Sequence, residues 1–144
     1  MFTGAMVALV TPFQEGKIDF QTLDELIDFQ LANGIDGIVP VGTTGECPTL
    51  SPDEHKQVIE RVVKAVGGQV PVIAGAGSNS TAEAIDFTEF SKKVGADATL
   101  QVGPYYNKPT QEGFYQHFKA IAEEVDLPMA VSYTHLTLPT ILLV

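Results

Sequence analysis

The sequence predicts an α/β fold of about four and a half strand–helix units, either an arc of a parallel (β/α)8 TIM barrel or an open doubly wound sheet. Three observations predict it. Short apolar runs flanked by Gly, Pro or Thr begin about every 30 residues, the spacing of βαβ units. Each run is too short for a helix and lacks polar alternation, as suits a strand buried on both faces. Between the runs lie amphipathic segments with recognisable helix starts and stops. No Gly-x-Gly-x-x-Gly follows the first run, which weakens the nucleotide-binding form of the open sheet. A closed barrel needs eight units and about 250 residues, so 144 residues would supply a half.

Strands are expected over residues 5–10, 37–41, 70–74, 98–102 and 128–131. The first helix starts after Asp19 as N-cap, buries Phe20, Leu23, Leu26, Ile27 and Leu31, and stops at Asn33-Gly34. The second has the clearest start. Ser51-Pro52-Asp53-Glu54 combines a capping box, Pro at the first helical position, and acids at the positive end of the helix dipole. Its core face is Val58, Ile59, Val62, Val63 and Val66, and Gly67-Gly68 ends it. A third helix opens with a further capping box, Ser80-Thr81-Ala82-Glu83, and ends at Gly95. The fourth begins near Thr110, buries Phe114, Phe118, Ile121 and Val125, and ends before Pro128.

Composition narrows the function classes. The formal charge of −10 argues against nucleic acid or an anionic membrane surface as partner, because both need clustered Lys and Arg. The eight basic residues are spread along the chain and form no patch. A single cysteine, Cys47, excludes an internal disulfide and fits a reducing, cytoplasmic setting. The opening Met1-Phe2-Thr3-Gly4 has no basic region of the kind that starts a signal peptide.

The last stretch departs from the rest. From Leu127 to Val144 there is no Asp, Glu, Lys or Arg. Two prolines, His135 and several hydroxyls argue against a membrane span there. Residues 1–131 therefore read as the partial barrel. Residues 132–144 read as a tail foreign to the fold, introduced by a frameshift or a cloning or assembly join.

Chemistry-bearing residues cluster directly after the strands, where α/β barrels place their active sites. Gly42-Thr43-Thr44-Gly45-Glu46 follows the second strand. Its glycines allow a sharp turn, its amides converge on a small anion such as a carboxylate, and its hydroxyls add proton-relay capacity. A plain Gly-Thr turn is the alternative. Gly75-Ala76-Gly77-Ser78-Asn79-Ser80 follows the third strand and reads as a loop feeding the cap at Ser80. Gly103-Pro104-Tyr105-Tyr106-Asn107-Lys108-Pro109 follows the fourth; a loop tyrosine serves as acid, base or interface anchor. His55 and His117, on helices without a metal-like partner, read as solvent-facing or locally bonded, and no metal site is expected. Cys47 has no general base beside it in sequence and reads as a packing residue. The paired acids Asp53-Glu54 and Glu123-Glu124 read as solvated.

Taken together, these clusters resemble the dihydrodipicolinate synthase / N-acetylneuraminate lyase superfamily. The segments that carry the resemblance are Phe2-Thr3-Gly4-Ala5-Met6-Val7-Ala8-Leu9-Val10-Thr11-Pro12-Phe13, Val41-Gly42-Thr43-Thr44-Gly45-Glu46, Pro71-Val72-Ile73-Ala74-Gly75, Asn79-Ser80-Thr81-Ala82-Glu83-Ala84 and Pro104-Tyr105-Tyr106-Asn107-Lys108-Pro109. The double threonine and the Tyr-Tyr-Asn loop look like the dihydrodipicolinate synthase branch, since sialic-acid lyases usually carry Ser-Thr in the first loop.

The resemblance implies the N-terminal half of a (β/α)8 barrel belonging to a class I aldolase-type lyase. Such an enzyme condenses pyruvate with L-aspartate semialdehyde in lysine and diaminopimelate biosynthesis, usually as a homotetramer of tight dimers. It implies no cofactor, because pyruvate forms an imine with a barrel lysine and so becomes an enamine nucleophile. By position, Thr43 and Tyr106 match the proton relay, with Tyr106 acting across the dimer interface. Thr44, with Gly42 and Gly45 beside it, matches the grip on the pyruvate carboxylate. His55, Asn79, Glu83 and Tyr105 match the lysine feedback site of regulated members. The family continues with a Tyr-Asn-x-Pro-x-Arg segment. Here Ser132 takes the place of its catalytic tyrosine, and Tyr133 stands one residue out of register. The imine lysine belongs to the sixth strand, beyond this text, and none of the seven lysines present matches it, so the 144-residue chain is expected to be inactive alone. Two other readings are a related pyruvate aldolase acting on sugar acids and a non-catalytic half-barrel assembly module.

Overall fold

The structure is a computed structural model and describes residues 2–132. Strand β1 (Met6–Ala8) leads into a hairpin of β2 (Phe13–Gln14) and β3 (Lys17–Ile18), then α1 (Phe20–Ala32) and β4 (Gly37–Val39). Two short 3-10 turns, Thr43–Gly45 and Cys47–Thr49, precede α2 (Pro52–Val66). The chain continues through β5 (Ile73–Gly75), α3 (Thr81–Val94), β6 (Ala98–Val102), α4 (Gln111–Glu124) and β7 (Met129–Ser132). β1 pairs with β4, β5 with β6 and β6 with β7, all parallel, and a bridge from Ile38 to Val72 joins the two groups. The parallel strands thus lie in chain order, β1-β4-β5-β6-β7, as along the arc of a barrel.

Helix starts follow the expected chemistry. Asp19 accepts the Thr22 N–H, and the Ser51 hydroxyl and Glu54 carboxylate exchange bonds in a complete capping box. These bonds hold the Asp19 and Glu54 carboxyls below the ordinary range, through Thr22 and Ser51 respectively. The box predicted at Ser80 forms only in part. Ser80 accepts the Glu83 N–H, but the Glu83 carboxylate takes the Ser78 hydroxyl, whose oxygen accepts the Ser80 N–H at 3.1 Å. The reciprocal bond is therefore relayed through a third side chain. α2 and α3 end on Gly67 and Gly95 in the left-handed region, as C′ glycines do.

Three strands depart from expectation: β1 spans only Met6–Ala8, and next to prolines β4 ends early and β5 starts late. β4 ends at Val39 because Pro40 has no N–H to donate and Val41 lies at φ +53. In the expected third strand, which contains Pro71, Val72 donates to the Asp97 carboxylate at 2.8 Å, so regular pairing starts only at Ile73. The β2–β3 hairpin was not expected. Its two-residue turn, Glu15-Gly16, has both φ positive, as the right-handed strand twist favours. At the far end, Ser132 was assigned to the tail, yet it closes β7 opposite Val102.

The core lies between the helices and the outer side of the sheet. Leu23 and Ile27 of α1 and Val58, Ile59, Val62 and Val66 of α2 bury against Ile38, Val72 and Ala74. Val63, Leu26, Leu31 and Phe20 pack at its margin, half-buried. Both helical histidines are interior, which corrects the solvent-facing reading: His55 is 2% exposed and His117 5%. Burial lowers the pKa of each, so the neutral ring is favoured.

Candidate active site

The loop after β4 is bent by a residue that resists bending. Val41 adopts φ +53, strained for a β-branched side chain, and is almost wholly buried. Its carbonyl and the Gly42 nitrogen press on Gly75, where any Cβ would collide with them. Gly75 is thus required by close backbone approach, and its own N–H donates to the Pro40 carbonyl at 2.9 Å. From Gly42 the chain winds into the 3-10 turn, with Gly45 N–H donating to Gly42 O and Glu46 N–H to Thr43 O. The N–H groups of Thr43 and Thr44 open this turn, where a helical segment leaves its first donors without an internal partner.

The turn is tied down from behind. The buried Thr11 hydroxyl donates to the Gly45 carbonyl at 2.7 Å. Gly45 also packs against the Leu9 carbonyl, with room for no side chain unless its neighbours shift. Thr43 and Thr44 are exposed on the other side and line a cavity of ≈ 160 Å³, with Gly42, Ala8, Val39 and Leu100 among its walls. Gly42, Thr43 and Thr44 are therefore brought together at the strand ends, while Gly45 serves as the anchored base of the turn.

The second loop behaves differently. Tyr106 is 95% exposed and sits at φ +68, and Asn107 N–H donates to the Tyr105 carbonyl at 2.8 Å across it. That is the i→i+2 bond of a γ-turn with positive φ, a rare and strained geometry. Tyr106 and Thr43 border one cleft of ≈ 680 Å³, together with Cys47, Tyr105, Phe114 and Lys108. Lys108, from the same loop, is exposed on the rim of this cleft.

A third, smaller cavity of ≈ 80 Å³ gathers His55, Glu83 and Tyr105, with Cys47, Pro48 and Phe87. The His55 Nε2–H donates to the Gly75 carbonyl at 2.7 Å, and its ring stacks on Phe87 with centroids 4.0 Å apart. His55 therefore braces the glycine that supports the first loop. Partial burial pushes the Tyr105 phenol up, and the nearby Cys47 and Glu83 add to the shift. Burial also raises the Cys47 thiol and keeps it protonated, consistent with a packing role. Asn79 does not line this cavity; its amide engages Asn107 instead. Tyr133 lies outside the described residues, as do His135 and the rest of the segment read as foreign after Ser132. Among the described residues no group of three or more His, Cys, Asp or Glu is placed to hold a metal ion. No helix among them is long and apolar enough to cross a membrane.

Sequence reasoning missed Thr11 and Asn107 as site residues. Thr11 had a weak signal, a hydroxyl between apolar residues at the end of the first strand. Asn107 had none, because its partner Asn79 is 28 residues away.

A model of the dihydrodipicolinate synthetase family matches residues 1–137. The chain belongs to that family. It is 65% identical over 128 residues to the 4-hydroxy-tetrahydrodipicolinate synthase of Desulfotalea psychrophila, covering 89% of this chain and 43% of that protein. Among solved structures, it matches the chloride-inhibited dihydrodipicolinate synthase of Acinetobacter baumannii complexed with pyruvate. The TM-score is 0.89 and the identity 51%, over 91% of this chain and 45% of that one. The enzyme of Cyanidioschyzon merolae with lysine bound matches with TM-score 0.86 and 48% identity, over 90% and 45%. The chain thus spans less than half the length of these relatives and, in fold, is the N-terminal part of their barrel. The family match runs through residue 137, past the boundary at which the sequence reading began the tail.

Proposed function

We propose that this chain supplies the keto-acid-gripping part of a 4-hydroxy-tetrahydrodipicolinate synthase, a lyase that condenses pyruvate with L-aspartate semialdehyde. The observation that carries the reading is the first loop, whose Gly42, Thr43 and Thr44 open a 3-10 turn and line a cavity at the strand ends. A carboxylate there meets N–H donors and the positive end of a short helical turn, the arrangement that holds small anions. Pyruvate fills such a grip with its carboxylate and leaves its ketone for an amine. The pyruvate complex of the Acinetobacter relative supports this choice of ligand.

In this reading Thr44, with Gly42 and Gly45, orients the carboxylate. Thr43 and Tyr106 pass the protons released and consumed as the imine forms and turns into the enamine. Tyr106 serves a second copy of the chain across a homo-oligomeric contact; its full exposure suits a group presented to a neighbour. The imine lysine comes from a later strand, because no lysine of this chain lies on a strand facing the cavity. The isolated chain is therefore inactive. The small cavity at His55, Glu83 and Tyr105 takes an amino acid through its ammonium group; the lysine complex of the Cyanidioschyzon relative supports lysine. A cytoplasmic location and a place in lysine biosynthesis follow from the reaction.

The test is a chimaera of residues 1–131 with the C-terminal part of the Desulfotalea relative. It should consume pyruvate and aspartate semialdehyde, whereas the 144-residue chain should not. A folded chimaera that instead cleaved sugar acids would favour the aldolase reading, and turnover by the isolated chain would contradict the proposal.

A further inference from the structure

We propose that Asn107 is a positioning residue for Tyr106, acting through a paired-amide contact with Asn79. The inference rests on the reading of Tyr106 as a proton-relay group. Tyr106 is held in a backbone conformation it would not choose. Positive φ is strained for a tyrosine and persists only where the surroundings over-determine the turn. Its side chain supplies no such restraint, being almost fully exposed.

The restraint comes from its neighbour. Asn107 closes the turn with its backbone N–H on the Tyr105 carbonyl. Its side chain then makes two bonds to one residue: Nδ2–H donates to the Asn79 carbonyl at 3.1 Å, and Oδ1 accepts from the Asn79 amide at 3.3 Å. Asn79 sits just before the N-cap of α3, beside Ser78, which is fixed by Glu83 and by the Ser80 N–H. The loop carrying Tyr106 is thus riveted to the β5–α3 connection. An asparagine suits the position because one short, planar side chain offers a donor and an acceptor together. The substitution Asn107→Asp keeps the acceptor and loses the donor; Asn107→Ala loses both.

The consequence is specific to the relay. Releasing Asn107 lets Tyr106 relax to negative φ and moves the phenol out of the place from which it is presented to the neighbouring copy. Capture of the keto acid by Thr44, Gly42 and Gly45 does not depend on this contact.

The experiment compares Asn107→Ala, Asn107→Asp and Tyr106→Phe, singly and combined, in the complete enzyme carrying these residues. Asn107→Ala should lower kcat roughly 10- to 100-fold with little change in KM for pyruvate. Asn107→Asp should fall between it and the parent. In the Tyr106→Phe background, Asn107→Ala should lower kcat less than about twofold further, because the group it positions is already disabled. Equal losses in both backgrounds would overturn the positioning role and leave the relay reading standing. A silent Tyr106→Phe would overturn the relay reading, and the positioning role with it. An Asn107→Ala enzyme with unchanged kcat overturns the proposal directly.

Discussion

The two loops that border the cleft are built on opposite principles. The Gly42–Gly45 turn is anchored inside its own chain: Thr11 holds Gly45, Val41 presses into Gly75, and His55 braces Gly75 from the far side. The Tyr105–Lys108 segment is anchored at its base, where Asn107 bonds Asn79 and the Tyr105 phenol meets Ser78 and the Asn79 backbone, and carries Tyr106 outward at nearly full exposure. Both store positive φ at residues other than glycine, Val41 and Glu46 in the first, Tyr106 and Lys108 in the second. The lesson is that backbone strain alone does not say what a loop does. In the first loop the strained Val41 is buried and its surroundings fix the turn; in the second the strained Tyr106 is exposed and its side chain points away from the body of the chain.

The comparison breaks most visibly at Tyr106. Removing its hydroxyl in Tyr106→Phe should lower kcat of the complete enzyme about 100-fold or more, the scale of a lost general acid–base group, with an unchanged melting temperature. A large loss of stability would mean that the phenol is structural after all. Gly75→Ala should do the reverse to the first loop. Its methyl group collides with the Val41 backbone, so unfolding titrations should show a loss of about 1–3 kcal/mol, with pyruvate capture impaired in step.

How much of this contrast was legible beforehand depends on the residue. Helix starts could be read because a capping side chain lies within three residues of the group it satisfies, as at Asp19 and Ser51. The tight turn at Gly42–Gly45 could be read as well, since its glycines and threonines are contiguous. Burial of His55 and His117 was legible in principle: each falls on its helix's apolar stripe, three or four residues from Val58 and Ile59 or from Phe114 and Ile121. The expectation of solvent-facing or locally bonded rings rested on the lack of a metal-like partner on the helix and passed over that stripe. The Thr11–Gly45 and Asn79–Asn107 contacts were not legible, because partners 34 and 28 residues apart meet only after the strands align. The half-formed box at Ser80 failed for a related reason, since Ser78 intercepts Glu83.

A subtler probe of the first loop is Thr11. Thr11→Val keeps the shape but leaves the buried Gly45 carbonyl without its donor, at a cost of about 1–3 kcal/mol. KM for pyruvate should rise, and Thr11→Ser should restore most of it in steady-state assays; equal behaviour of Val and Ser would detach the hydroxyl from the grip. Smallest should be the effect of acid. Burial depresses the His55 and His117 pKa values below 6.5, so the unfolded chain binds more protons in that window. Their stabilising contribution is complete above about pH 6.5 and is lost as pH falls through the depressed values. Melting curves from about pH 7.5 downward should show this decline, and His55→Gln should flatten it.

The central claim is that these loops grip a keto acid whose covalent partner lies on a later strand. Borohydride reduction with labelled pyruvate, followed by peptide mapping of the chimaera and of the 144-residue chain, tests it most directly. The account predicts label on one lysine of the chimaera's C-terminal part, sharply reduced by Thr44→Val, and none on the isolated chain. Label on Lys108, or on any other lysine before β7, would contradict it.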